Sequence, residues 1–102
     1  MFSKLNLAVA GLLFAGTTAA QTPPPAYEDK YCSGCHAVDQ KMVGPALKDV
    51  ATKYRNQPDA KTYLAQKIRN GGVGVWGNIP MPAADLTDSE LKSLVDWITS
   101  LK

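Results

Sequence analysis

Both cysteines and the only histidine of this chain fall within five consecutive residues, Cys32-Ser33-Gly34-Cys35-His36. No other stretch restricts the fold as much. C-x-x-C-H is the attachment signature of a c-type haem. The two thiols add to the two vinyl groups of the porphyrin, and the adjoining imidazole is placed to offer the iron an axial nitrogen. Three other uses of the motif account for less. A redox dithiol belongs to a βαβ setting, and no strand pattern is present. A structural zinc site needs a fourth strong ligand, and the chain has no further Cys or His. A plain disulfide leaves His36 without a role.

The chain of 102 residues allows one domain. Residues 1–20 read as an export signal: Lys4 supplies positive charge, Leu5 to Phe14 form an apolar run, and Thr18-Ala19-Ala20 suits a peptidase, with cleavage expected after Ala20. The apolar run is too short to span a bilayer, which disfavours a retained anchor. Lys4 leaves with the signal, so eleven basic residues become ten against nine acidic ones. Such a balance is no footprint for nucleic acid. The remaining 82 residues are marginal for a self-sufficient core. A covalently held haem serves as both staple and core, and an exported, oxidising location suits it.

Gln21 to Ala26 carries Pro23, Pro24 and Pro25, and is expected to be an extended lead-in to a domain spanning 27–102. Tyr27 to Cys32 reads as a short helix with Tyr27 and Tyr31 on one face, ending near Ser33-Gly34 so that the thiols sit at a helix-to-loop junction. Ala37 to Gly44 reads as a loop, with an extended turn at Gly44-Pro45. Leu47, Val50, Ala51 and Tyr54 mark an amphipathic helix over 46–55. Asp59 is placed to cap a third helix over 60–69, with Tyr63, Leu64 and Ile68 inward and Asn70-Gly71-Gly72 as its stop. Residues 71–86 read as an ordered loop whose Val73, Val75, Trp76, Ile79 and Met81 need burial. Thr87-Asp88-Ser89-Glu90 is a capping box, and Leu91, Leu94, Val95, Ile98 and Leu101 give the last helix its apolar face, flanked by Trp97. The expected fold is all-α, with small helices wrapped round one covalent haem.

If His36 takes one face of the iron, the group on the other face decides the chemistry. An open position permits peroxidase or gas-binding function; a thioether closes the site and raises the potential. Met42 and Met81 are the methionines left after the signal. Met42 is six residues from His36, a span of at most about 20 Å, on a loop beside Lys41. Met81 lies between Pro80 and Pro82, which restrict the backbone on both sides, and is the expected ligand. A ligating histidine donates its other N–H to a carbonyl or carboxylate, and the Gly44-Pro45 turn offers a nearby carbonyl. Trp76 has one donor that reaches a haem propionate or is simply buried. Lys67 and Arg69, near the end of the third helix, either pair with a propionate or face solvent.

Cys32 to Ala37, Lys41-Met42-Val43-Gly44-Pro45-Ala46 and Gly74-Val75-Trp76-Gly77-Asn78-Ile79-Pro80-Met81-Pro82 together resemble the small bacterial class I cytochromes c of the c-551 (c8) type, from about Tyr27 to Leu101. The resemblance implies a periplasmic electron carrier of four or five helices, the first and last crossing. It implies thioethers at Cys32 and Cys35, His36 and Met81 as axial ligands, the Pro45 carbonyl on His36, and Trp76 near a propionate. The chain departs from that family in two places. Ala83-Ala84-Asp85 stands where the family often has an asparagine near the methionine sulfur. The basic partner in the third helix is Lys67, a point charge rather than a planar fork. The function expected is one-electron shuttling by a monomer that does not insert in a membrane, between partners such as a cytochrome bc complex, a terminal oxidase, a nitrite reductase or a peroxidase. Docking is expected at an apolar ring of Met42, Val43, Ile79, Pro80 and Pro82, steered by Lys30, Lys41 and Lys48.

Overall fold

The computed structural model of the protein describes residues 22–102, so the expected signal segment lies outside the described residues. The elements run α1 (Ala26–Asp29), a 3-10 turn (Cys32–Gly34), α2 (Leu47–Tyr54), α3 (Ala60–Asn70) and α4 (Asp88–Ser100). Among the described residues there is no strand, only one isolated antiparallel bridge between Gly72 and Met81.

α4 is the scaffold. Its start is fixed by a reciprocal capping box: Glu90 N–H donates to Thr87 Oγ1 at 3.1 Å, and Thr87 N–H donates to Glu90 Oε1 at 2.8 Å. Leu91, Leu94, Val95, Trp97 and Ile98 are buried along one side, and Leu101 is buried just beyond the last turn. That side contacts α1, α2 and α3. Leu47, Val50, Ala51 and Tyr54 answer it from α2, and Ala60, Leu64 and Ile68 from α3. Burying a branched side chain of this kind contributes about 1.5–3 kcal/mol. Trp97 belongs to this core, and Tyr27 meets it edge-on at 5.0 Å, which pins α1 to α4.

Three local expectations are corrected. The lead-in is not extended throughout: Pro25 has helical dihedrals (φ −54°, ψ −32°) and starts α1 at Ala26, because the fixed φ of proline is already that of a helix. The first helix does not run to Cys32. It stops at Asp29, and Tyr31 takes a left-handed backbone (φ 64°) that ends any helix there. Tyr31 therefore does not share a face with Tyr27; it is 83% exposed. Asp59 does occupy the cap position of α3, but its side chain makes no capping hydrogen bond. Within α3, Tyr63 is only half-buried and packs on Tyr54 at 5.0 Å.

Candidate haem site

The 3-10 turn presents the thiols. Cys35 N–H and His36 N–H both donate to the Cys32 carbonyl, at 3.1 and 2.9 Å. Three successive backbone groups are thereby wound tightly enough to bring Cys32, Cys35 and His36 to one wall. Both cysteines are half-buried and not joined to each other in a disulfide, and burial pushes the Cys32 thiol up from its ordinary value.

His36 is held from three sides. Its Nδ1 lies 2.9 Å from the Pro45 carbonyl. A carbonyl only accepts, so Nδ1 carries the proton and the Nε2 lone pair is left for a ligand. The Tyr27 hydroxyl donates to the His36 carbonyl at 2.5 Å. Gly44 N–H donates to the Cys35 carbonyl at 2.8 Å, which presses the Gly44 backbone onto the imidazole. A Cβ at Gly44 would stand 2.6 Å from the ring Cε1 and 2.9 Å from Nδ1. No other residue fits there.

Met81 approaches from the other end of the chain. It is partly buried and packs against the core cluster. Gly72 N–H donates to its carbonyl at 3.0 Å, and its own N–H donates to the Gly72 carbonyl at 2.8 Å. Prolines lack a donor, so this is the one N–H that Pro80-Met81-Pro82 can offer.

Cys32, Cys35, His36 and Met81 all line one cavity of about 420 Å³, together with Pro45, Trp76 and Lys67. Met42 lines it too, but is 44% exposed. Its remaining walls are mainly apolar, from Leu47, Val50, Leu64, Ile68, Leu94 and Ile98. Lys41 and Lys67 are the charged residues in the lining, and no carboxylate faces it. Two thiols, an imidazole lone pair, a thioether, apolar walls and cations are the chemistry that a porphyrin with vinyl groups, an iron and two propionates requires. The residues fit the group.

Within the loop over 71–86, Leu86 joins the helical core and Met81 packs against it, but four apolar side chains do not. Val73, Val75, Trp76 and Ile79 are 61%, 50%, 42% and 64% exposed; they line the cavity instead. Arg69 is not at the cavity. Its guanidinium donates to Asp88 at 2.7 Å and to the Leu86 carbonyl at 3.3 Å, which ties α3 to the start of α4. Lys67 is the third-helix cation that stays, with its ammonium 5.6 Å from the centre of the Tyr63 ring. Sequence alone left several contributors unnoticed. Lys53 sits 5.7 Å from the Trp76 ring centre and 5.8 Å from that of Tyr54. The Tyr54 hydroxyl is pushed up to about 12, chiefly by burial and by Tyr63. Tyr27 acts through its hydroxyl rather than through a shared face with Tyr31, and nothing in the eight residues between it and His36 marks that pairing.

The profile of the Cytochrome c family matches residues 25–102. The chain belongs to the cytochrome c family. Among relatives, Pseudomonas aeruginosa cytochrome c-551 is 46% identical over 101 residues, covering 99% of this chain and 97% of that protein. Cytochrome c-552 of Nitrosomonas europaea is 49% identical over 98 residues, covering 95% and 93%. The crystal structure of wild-type N. europaea cytochrome c552 matches with a TM-score of 0.71 at 52% identity, over 74% of this chain and 95% of that one. This c-type cytochrome carries one covalently attached haem c, with two cysteines present for thioether linkage, and it is an electron carrier rather than an enzyme.

Proposed function

We propose that the chain is a periplasmic one-electron carrier with His36 and Met81 as its axial ligands, Cys32 and Cys35 as its points of covalent attachment, and residues 1–20 removed on export. The haem supplies the Fe(III)/Fe(II) couple, and the protein tunes its potential and surroundings. His36 keeps one orientation because Pro45 and Gly44 hold its ring. Met81 keeps one position because its backbone is paired on both sides with Gly72. Two fixed ligands mean that little moves when the charge changes. Lys67 and Trp76, both in the cavity lining, are assigned to the propionates.

The observation that carries this reading is the contrast between the two methionines. Met81 is partly buried and backbone-clamped, whereas Met42 is 44% exposed on a loop. A thioether ligand raises the potential relative to an open or water-bound site. Redox titration with optical spectra of the Met81→Ala and Met42→Ala holoproteins tests it. Met81→Ala lowers the potential, abolishes the far-red sulfur-to-iron absorption of the oxidised form and opens the reduced iron to carbon monoxide. Met42→Ala leaves all three unchanged. Rapid carbon monoxide binding to the unmodified reduced protein at neutral pH would favour a gas-binding or peroxidase role.

Electron exchange is assigned to the rim made by Met42, Val43, Ile79, Pro80 and Pro82, all exposed. It suits short-lived docking with redox proteins such as a cytochrome bc complex, terminal oxidase, nitrite reductase or peroxidase. Of the three lysines expected to steer, Lys48 lies 2.8 Å from Asp39 and Lys30 lies 3.8 Å from Glu90. Lys41 makes no ion pair among the described residues, and is the freest of them to attract a partner. Among those residues no helix is long and apolar enough to cross a membrane.

A further inference from the structure

We infer that Gly71 is the positioning residue for Met81, an inference that rests on Met81 being the second axial ligand. Gly71 follows the last residue of α3 and has φ 75° and ψ −172°, a region open essentially to glycine alone. That conformation turns the chain out of the helix so that Gly72 can pair with Met81 in both directions. It also brings the two segments into contact. A Cβ on Gly71 would stand 2.4 Å from the Met81 carbonyl oxygen, 2.9 Å from Ala83 N and 3.0 Å from the Pro82 carbonyl carbon. All three are backbone atoms and have no rotamer with which to yield. Ala84 N–H adds a further tie, donating to the Ile68 carbonyl at 3.0 Å. The end of α3 is therefore the mould for the methionine segment, and the missing side chain of Gly71 sets how closely that segment lies.

The loop supplies its own controls. Gly74 also has positive φ, 108°, but a Cβ there meets nothing within 4 Å. Gly72 has no such φ, and a Cβ there meets only the Lys67 side chain, nearest at its ammonium, 3.1 Å away. Gly71→Ala, Gly74→Ala and Gly72→Ala thus separate contact with Met81 from backbone strain and from crowding of Lys67.

The test is made on holoproteins by redox titration, by the far-red sulfur-to-iron absorption of the oxidised form, and by amide hydrogen exchange. Gly71→Ala is expected to weaken or abolish the absorption and shift the potential down, toward the value of Met81→Ala. Gly74→Ala is expected to keep both signals and Gly72→Ala the absorption, the potential of Gly72→Ala also reading the crowding of Lys67. In the unmodified protein the Met81 amide is expected to exchange as slowly as amides within α3, a readout that holds even where Gly71→Ala does not fold. Unchanged absorption and potential in folded Gly71→Ala, an equal loss in Gly74→Ala, or fast exchange at Met81 would each overturn the inference. If Met81→Ala itself changes neither signal, the ligand assignment fails and this inference falls with it. If Met81→Ala changes both and Gly71→Ala neither, only the role of Gly71 fails.

Discussion

The two walls of the cavity are built in different ways. The His36 wall is local: Cys32 to Pro45 supplies its turn, its ring acceptor and its glycine cradle within fourteen residues. Only Tyr27 reaches it from outside that span. The Met81 wall is anchored to a helix end, through ties only nine to sixteen residues apart. Its segment is fixed by the end of α3, through Gly71, Gly72 and Ile68, and much of the loop that carries it is exposed. A local wall can form as soon as its own turn forms. The Met81 wall needs the end of α3 to be formed and is held by a few backbone ties, so it is the side more easily loosened without unfolding the domain.

Four perturbations sharpen that contrast, taken from the largest effect to the smallest. Replacing both Cys32 and Cys35 by alanine removes both covalent attachments. With 82 residues expected in the mature chain, the protein then lacks its staple, and haem retention on a denaturing gel and cooperative unfolding by circular dichroism are both expected to be lost. A well-folded haem-free variant would show that the helices suffice on their own.

Leu94→Ala acts on both walls together. Leu94 is 1% exposed and lines the cavity from α4. Truncating a buried leucine costs about 2–5 kcal/mol, and denaturant unfolding should show a loss in that range. Gly44→Ala acts on the local wall alone. Its Cβ would overlap the His36 ring, and overpacking of this kind costs about 1–3 kcal/mol. Gly34→Ala, whose Cβ meets nothing within 4 Å, serves as the control in the same measurement. If Gly44→Ala also removes the far-red absorption assigned to Met81, the walls are not independent.

The smallest effect concerns pH. The Thr87 backbone N–H, and then the Lys30 ammonium, hold the Glu90 carboxyl below its ordinary value. Lys92 and Lys61 do the same for Asp96. A depressed carboxylate pKa means that the native state binds fewer protons than the unfolded one, so its contribution is full above the ordinary carboxylate range and is lost as pH falls through the folded value. Stability should therefore decline on acidification below about 4.5, the ordinary Glu value. Glu90→Gln keeps the capping geometry and should flatten part of that slope. An unchanged slope would assign the acid sensitivity to other groups.

Much of the helical core could be read from the order of residues. The spacing of Leu47, Val50, Ala51 and Tyr54, and of the apolar residues from Leu91 to Leu101, identified faces that the fold does bury. The capping box set the start of α4 to the residue. These patterns are legible because helical period and end-capping are interactions between near neighbours. The first helix was misread because Tyr31 adopts a backbone conformation that its side chain disfavours, and no propensity anticipates that. The apolar residues of the 71–86 loop were expected to need burial, with no surroundings named for them. They face the cavity, which the sequence does not specify because hydrophobicity reports that a residue seeks apolar surroundings and not which ones.

By itself, the sequence determined the cofactor chemistry. C-x-x-C-H brings two thiols and an imidazole together through bonded geometry, whatever the rest of the chain does. It also determined that the methionine framed by prolines has a stiff backbone. Only the tertiary structure decided where that methionine stands. Its place depends on a hydrogen-bonded bridge and a glycine-only backbone turn at the end of α3, contacts between residues nine and ten apart that no local pattern specifies. The local motif carries the haem; the packing of distant segments sets what faces it.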